Sequence, residues 1–410
     1  MIGETGVRSS YRELVAELRS AEFELGRIAR PASASEGLRL LCRALVAEVE
    51  ITLVDPLFHP GELAHIGIDA THFETIRLVS GKQELLLPEL MRLAGGKSRM
   101  RLGLYTSGST GVPSRVEHSM GTLARNVRAG DRHAADIWAV TFRPTHIAGV
   151  QVWLQALANG NTLVDLTGLP PQEALEAMIE HGVTHISASP TYYRALLGAG
   201  GTLPLVRSVA LGGELVSAEL LTQLRRLFPS ARIHNIYAST EAGTLLESSG
   251  DLFRIPDDKR TRIEIRNGRL HVHRSLLGDF VQGKTLAAGG WYDTGDLVEE
   301  VPDGNGRFRF VARECEWANI GGIKVNPHEV EAVMHEHPEV AGVRVIAQSN
   351  SVMGQILVAE VVLETTAEGG EMERRIRAWL AKRLHPAKIP RIIRFVAQLQ
   401  TTYSGKTSRK

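Results

Sequence analysis

The stretch Tyr105–Arg115, YTSGSTGVPSR, crowds hydroxyls and glycines directly behind the strand-like run MRLGLY. Such a loop gives little to a hydrophobic core. It does expose many backbone N–H groups and side-chain hydroxyls, which together suit an anion such as phosphate. The candidate donors are Thr106, Ser107, Gly108, Ser109, Thr110 and Gly111. No lysine follows the second glycine, so this is not a Walker-type loop. Read alone, the run also fits an ordinary surface turn.

Four more segments follow in order: NIYASTEAG (235–243), YDTGDL (292–297), ANIGGIKVNPHEVE (318–331) and SGKTSRK (404–410). Each has a bland reading by itself. Thr240 and Glu241 fit a helix N-terminus, one as cap and the other complementing the dipole. Asp296 fits a turn after Thr-Gly, and Gly321–Gly322 a β-turn. Lys406 fits solvated surface, and His146 a satisfied core histidine.

Short apolar runs (IWAVTF, NTLVDL, THISAS, VRSVAL, ARIHNIY) alternate with helical segments (VQVWLQALAN, PPQEALEAMIEHG, PTYYRALLGAG, SAELLTQLRRLF). That alternation predicts βαβ units and a largely parallel sheet. Ligands of such sheets bind beyond the carboxyl ends of the strands. Residues 10–29 read as a helix opened by a Ser10/Glu13 capping box, and GTLARNVRAGDRH as another helix. After about residue 260 the texture turns to β, with TRIEIRNGRLHVHRS a hairpin around Asn-Gly. A compact βα pattern begins near residue 317, which puts a domain boundary near Glu316. His271 and His273 share a strand face without a third ligand, and HEHPE (335–339) reads as the end of a solvated helix.

The chain has 410 residues, 43% hydrophobic and 23% charged, with 47 basic against 46 acidic residues. That balance argues against a nucleic-acid binder. Two cysteines, Cys42 and Cys315, make neither a metal cluster nor a disulfide framework. A polar N-terminus and the lack of an ~18-residue apolar run predict a cytoplasmic protein without membrane attachment.

Taken together, the five ordered segments closely resemble the acyl-adenylate-forming superfamily: acyl- and aryl-CoA ligases, adenylation domains of peptide synthetases, and luciferases. The resemblance spans about Tyr105 to Lys410, and more faintly the first hundred residues. It implies an α/β protein. Residues 1–315 would form a large α/β domain with mainly parallel sheets plus a β-rich region. Residues 316–410 would form a small, mobile α+β lid.

The implied chemistry is ATP-dependent, Mg²⁺-assisted activation of a small carboxylic acid, aryl or compact acyl, to acyl-AMP with release of pyrophosphate. Transfer to a thiol follows, that of coenzyme A or of a carrier protein's phosphopantetheine. A non-thiol acceptor and a nucleotide-binding partner protein without turnover are the rivals. A homodimer is the default assembly.

The resemblance also assigns roles. Loop 106–111 would hold the β- and γ-phosphates. Gly212, Gly213 and Glu214, in LGGEL, would line the adenine and acyl sites, as part of a nucleotide pocket that also takes in Asn235, Ala238 and Ser239. Tyr237 would stack on adenine, Thr240 would bond the α-phosphate, and Glu241 would hold Mg²⁺. Asp296 and Arg313 would take the ribose, and His146 the acyl pocket. Lys406 would bridge the acid and the α-phosphate. Cys315 and Glu316 would be the hinge, and Gly321 and Gly322 the thiol channel. The sequence departs from the family pattern at Ser114 and Arg115, where Lys and Gly are usual, so the loop charge has either moved to Arg115 or been lost. Ala238 replaces a usual glycine, and Cys315 a commoner acid or lysine.

Overall fold

The computed structural model describes the chain apart from residues 1–8, 20–21, 57, 59–62, 65, 69–74, 80–84, 106–113, 281–285, 303–304, 314–317, 321–322, 351–353, 365–368, 385 and 400–410. Its centre is a six-stranded sheet in the order Gly243–Ser248, Arg232–Ser239, Ser208–Gly212, His185–Ala188, Ile137–Val140, Thr162–Asp165. Five of these strands run parallel, and only Gly243–Ser248 is antiparallel. The helices Ile147–Asn159, Pro171–Glu180, Pro190–Gly198 and Ala218–Leu227 make the crossovers. Two of them start on serine caps. The Ser189 hydroxyl accepts from Tyr192 N–H at 3.1 Å, and Ser217 from Leu220 N–H at 3.2 Å.

A second sheet runs Asp279–Phe280, Arg115–Ser119, Arg101–Tyr105, Glu50–Leu53, Ile28–Ala29. The helix Ile147–Asn159 is buried almost all round, including Trp153 at its centre. This is the pattern of a helix packed on both sides rather than one. Its cluster joins Val140 and Leu163 of the central sheet to Ile51, Leu53, Leu102 and Leu104 of the second. Cys42 lies in that core, where burial pushes its thiol up to about 12, so it serves packing rather than redox chemistry.

A third, antiparallel sheet has the order Phe253–Arg254, Arg307–Arg313, Trp291–Glu300, Arg269–His273, Ile263–Arg266. The expected hairpin turns at Asn267, whose φ is +51°. From Ala318 onward, strands Ala318–Ile320, Ile323–Val325, Val340–Asn350, Gly354–Leu363 and Ile392–Phe395 form a separate sheet with helices Pro327–His335 and Gly369–Ala381. Among the described residues its hydrophobic cluster is drawn from Ala318 to Phe395. The chain is thus an α/β fold with a C-terminal α+β unit, as the sequence implied. The hinge residues Cys315 and Glu316 lie outside the described residues.

The structure corrects three local readings. The helix begun by the capping box ends at Arg19, and Glu22–Gly26 is a strand paired antiparallel with Thr75–Val79. The box itself forms as expected, with Ser10 N–H donating to Glu13 Oε2 at 2.7 Å and Glu13 N–H to Ser10 Oγ at 3.2 Å. The helix expected over 121–133 is one turn, Met120–Leu123. Beyond it Arg125 donates to Leu276 O, and Asn126 to Thr244 O at 2.9 Å, so the chain there braces the turn at Arg274–Leu276 and the strand Gly243–Ser248. Near HEHPE, His337 is buried rather than solvated.

Candidate active site

Parallel strands end on one edge of their sheet, so the segments leaving their carboxyl ends converge. His146, Thr191, Gly212–Glu214 and Ser239–Glu241 all leave the central sheet at that edge. Gly213 sits at φ +86°, where a side chain would be strained. The Glu214 carboxylate accepts from Thr191 N–H at 3.2 Å and Thr191 Oγ1 at 2.8 Å, which ties the Gly-Gly-Glu segment to the start of the next helix. Arg194 Nη1 stands 3.9 Å from the same carboxylate. His146 caps the buried central helix, its Nδ1 accepting from Ala148 N–H at 3.4 Å. Its ring stacks on Phe142 at 5.3 Å between centroids.

The third sheet approaches this edge through Asp296 and Phe310. The Tyr237 hydroxyl donates to Asp296 Oδ2 at 2.5 Å, and Asp296 is buried. Asp296 lies directly opposite Arg313 in the strand register. Phe310, two register steps from that pair, stacks on the Tyr237 ring at 4.3 Å and 14°. One face of Tyr237 is therefore backed by protein. A β-bulge falls between Tyr237 and Ala238, a device that re-aims side chains beside sites.

Thr240 and Glu241 do not begin a helix. They form the turn of a hairpin between Arg232–Ser239 and Gly243–Ser248, with Gly243 at φ +65° reversing the chain. Glu241 is buried. Gly278 N–H donates to Glu241 O at 2.7 Å, and the Thr240 carbonyl lies 2.7 Å from His118 Nε2. A carbonyl only accepts, so His118 carries its proton on Nε2. Burial lowers the His118 pKa below the usual histidine range, which keeps the ring neutral.

Sequence comparison identifies two consecutive regions. Residues 96–272 match the family described as AMP-binding enzyme, and residues 329–406 match the AMP-binding enzyme C-terminal domain. The two regions cover most of the chain. This protein belongs to the AMP-binding enzyme family.

Among curated members of the family, it is 27% identical to acetyl-coenzyme A synthetase from Bacillus subtilis (strain 168) over 75% of this chain and 60% of that protein. It is 26% identical to feruloyl-CoA synthase from an Amycolatopsis species, over 88% of this chain and 80% of the other. The chain thus spans about three fifths of the acetyl-coenzyme A synthetase's length. The fold matches the Bacillus subtilis o-succinylbenzoate CoA synthetase solved with its acyl-adenylate intermediate (TM-score 0.65, 20% identity, 93% of this chain and 86% of that one). It also matches an ATP-bound RpMatB-BxBclM chimera (TM-score 0.72, 19% identity, 99% of this chain and 93% of that one).

Within this family fold, the structure brings together Gly212, Gly213, Glu214, Tyr237, Ala238, Ser239, Thr240, Glu241, Asp296 and His146 around one sheet edge and the adjoining strand. Arg313 joins them by register. Asn235 is a different case: its amide donates to Gly250 O at 2.9 Å, so the side chain supports a neighbouring turn. Arg115 is held within its own sheet. Its guanidinium pairs with Glu50 and Glu117 and donates to Thr52 Oγ1 at 3.1 Å. The loop Thr106, Ser107, Gly108, Ser109, Thr110 and Gly111, the thiol-channel pair Gly321 and Gly322, and Lys406 lie outside the described residues. Among the described residues no three His, Cys, Asp or Glu gather as a metal site, and no helix is long and apolar enough to cross a membrane.

Sequence reasoning missed Phe310, His118 and Gly278. The alternation in RFRFVAR puts Phe308 and Phe310 on one strand face, a signal for a buried aromatic pair. Nothing local marks His118 or Gly278, because both act on a turn more than 30 residues away in sequence.

Proposed function

We propose that this chain is an ATP-dependent acid–thiol ligase that forms acyl-AMP and then an acyl thioester, with coenzyme A as the acceptor. The observation that carries this reading is the nucleotide corner. Tyr237 is bonded to Asp296 at 2.5 Å and backed by Phe310, Asp296 faces Arg313 in register, and the Thr240–Glu241 turn ends the same strand. An aromatic face, a buried carboxylate and a hydroxyl–carboxylate turn fit adenine, ribose and phosphate in that order. Family membership and the CoA-ligase names of its relatives support the same chemistry.

In the first step a carboxylate oxygen of the substrate attacks the α-phosphorus. The bond from that phosphorus to the bridging oxygen breaks, and pyrophosphate leaves with the electron pair. No general base is needed, because a carboxylate is already ionised near neutrality. The Tyr237 ring carries adenine, and Asp296 accepts from the ribose hydroxyls. The Thr240 hydroxyl donates to the α-phosphate. Lys406 spans the acid and the α-phosphate, where a placed cation is worth roughly 10²–10³ in rate. Glu241 would hold a magnesium ion, which would offset charge on the phosphate oxygens. A single buried carboxylate on a pinned turn fits that ion, since Mg²⁺ commonly takes one or two carboxylates and completes its shell with phosphate and water.

In the second step the thiol sulfur attacks the acyl carbon, the acyl–phosphate bond breaks, AMP departs and the thiol proton passes to solvent. The small C-terminal unit turns about Cys315 and Glu316, so that Lys406 withdraws and Gly321 and Gly322 border the incoming arm. The acid is aryl or compact. Ala238, set beside the bulge, fills space where the family has glycine, and His146 stacked on Phe142 gives a flat wall.

The test is pyrophosphate release with a panel of acids, followed by mass analysis of thioesters with coenzyme A or a carrier protein. Lys406→Ala should abolish pyrophosphate release yet spare transfer from a supplied acyl-adenylate. Equal loss of both half-reactions contradicts the assignment of Lys406. Silence across the panel, with ATP still bound, favours a nucleotide-binding partner protein. Hydroxamate formation without a thioester favours a non-thiol acceptor.

A further inference from the structure

We propose that His118 is a positioning residue that fixes the metal-bearing turn Thr240–Glu241, with Gly278 closing the same grip. This rests on the reading of Glu241 given above.

His118 lies on strand Arg115–Ser119 of the second sheet, fully buried. Its Nε2–H donates to Thr240 O at 2.7 Å across 122 residues of sequence. The next carbonyl along, that of Glu241, accepts Gly278 N–H at 2.7 Å. Two consecutive carbonyls are thus held by two elements outside the hairpin that owns them. Strand pairing stops at Ser239↔Gly243, so the hairpin's own ladder does not fix the turn between.

Gly278 belongs to the same device. A Cβ built there would stand 2.8 Å from His118 Nδ1, 2.8 Å from its Cε1 and 2.8 Å from Glu117 O. Only a glycine lets the imidazole and the Gly278 amide sit against the turn together. His118 Nδ1 has no hydrogen-bond partner among the described residues. The ring is kept for one bond, and the other nitrogen goes unsatisfied, a cost that a purely packing residue such as leucine would avoid.

The consequence is specific. Loss of the bond should loosen the placement of the Glu241 carboxylate relative to the phosphates, while leaving adenine and ribose contacts intact. Misplacement by about 1 Å costs on the order of 10²-fold in rate.

The experiment uses the full chain and two binding titrations, ATP with excess EDTA and ATP with Mg²⁺, which need no substrate acid. The wild type should bind ATP more tightly with Mg²⁺. In His118→Leu the metal-free affinity should fall a few-fold, through the loosened Thr240 contact with the α-phosphate, while the Mg²⁺ enhancement itself falls about fivefold or more, in line with an oriented contact being lost. His118→Gln, whose amide can still donate, should recover most of the enhancement. Gly278→Ala, which crowds the ring without removing it, should behave like His118→Leu and provides the reading if that variant does not fold. Equal loss of affinity with and without metal, or no recovery in His118→Gln, overturns the proposal. If the wild type shows the Mg²⁺ enhancement yet no acid yields pyrophosphate, the ligase reading fails while the positioning role is still decided by the variants.

Discussion

Phe310→Leu isolates one contribution to nucleotide binding. Phe310 is half-buried and stacks on Tyr237 at 4.3 Å. It also meets Phe253 edge-on at 5.1 Å and Phe308 at 5.6 Å. Leucine keeps most of the apolar volume but removes all three ring contacts. Such pairs are worth about 0.5–1.5 kcal/mol each beyond area burial. The two edge contacts hold the third sheet together, so their loss should lower stability by about 1–3 kcal/mol. The stacked contact alone orients the ring that adenine would meet, and its loss should raise the KM for ATP about two- to twelvefold. The assay is pyrophosphate exchange against ATP at saturating acid, with the KM for the acid measured in parallel and thermal unfolding as control. Phe310 should move the KM for ATP and leave that for the acid within about twofold. A fall in stability with no change in KM for ATP, or an equal rise in both KM values, would falsify the stacking argument.

Three further outcomes follow from the same coordinates. Tyr237→Phe removes the hydroxyl 2.5 Å from Asp296, a bond to a charged group worth about 1.5–3 kcal/mol; it should weaken discrimination between ATP and 2′-deoxy-ATP, and unchanged discrimination in steady-state competition would count against Asp296 as the ribose acceptor. Arg115→Met should leave the KM for ATP within about twofold while lowering the unfolding midpoint, because its guanidinium is held by Glu50, Thr52 and Glu117; a large rise in KM would return the loop charge to Arg115. His335 is pushed down to about 4 by burial and by Arg194, against the pull of Glu331. The unfolded chain therefore takes the proton first, so stability should decline as pH falls from the unfolded value near 6.5 to about 4, by about 3 kcal/mol in the limit, and level off below. Denaturant titrations from pH 7 to 4 should show this slope, and a slope unchanged in His335→Asn would refute the assignment.

The parallel core was legible because each βα unit carries its own local evidence, a short apolar run followed by a helical segment, in two cases opened by a serine cap. Ser217 with Ala218–Leu227 is an example, since the cap and four buried leucines lie within eleven residues. Glu22–Gly26 was not legible for the opposite reason. EFELG alternates with a period of two, but it follows a helix without a breaker, and its partner Thr75–Val79 is some fifty residues away. The stretch after Leu123 is not the helix its composition suggests, because its decisive bonds, from Arg125 and Asn126, reach the distant turn at Leu276 and the strand at Thr244. Sequence windows hold propensity, and those contacts are tertiary.

The same distinction explains the site. Thr240 and Glu241 carry composition that suits a helix start, and the reversal at Gly243 makes them a turn instead. A turn is a weaker platform than a helix N-terminus, because it has no ladder behind it and no aligned dipole to orient an anion. For a turn to hold a carboxylate steady, something else must supply rigidity. Here the second sheet reaches across through His118, Gly278 locks the adjacent carbonyl, and the third sheet fixes Tyr237 three residues upstream through Asp296 and Phe310. Three sheets thus meet at five consecutive residues, Tyr237 to Glu241. A turn braced in this way can present fixed donors to an anion without a broad basic surface, which is compatible with a chain of 47 basic and 46 acidic residues.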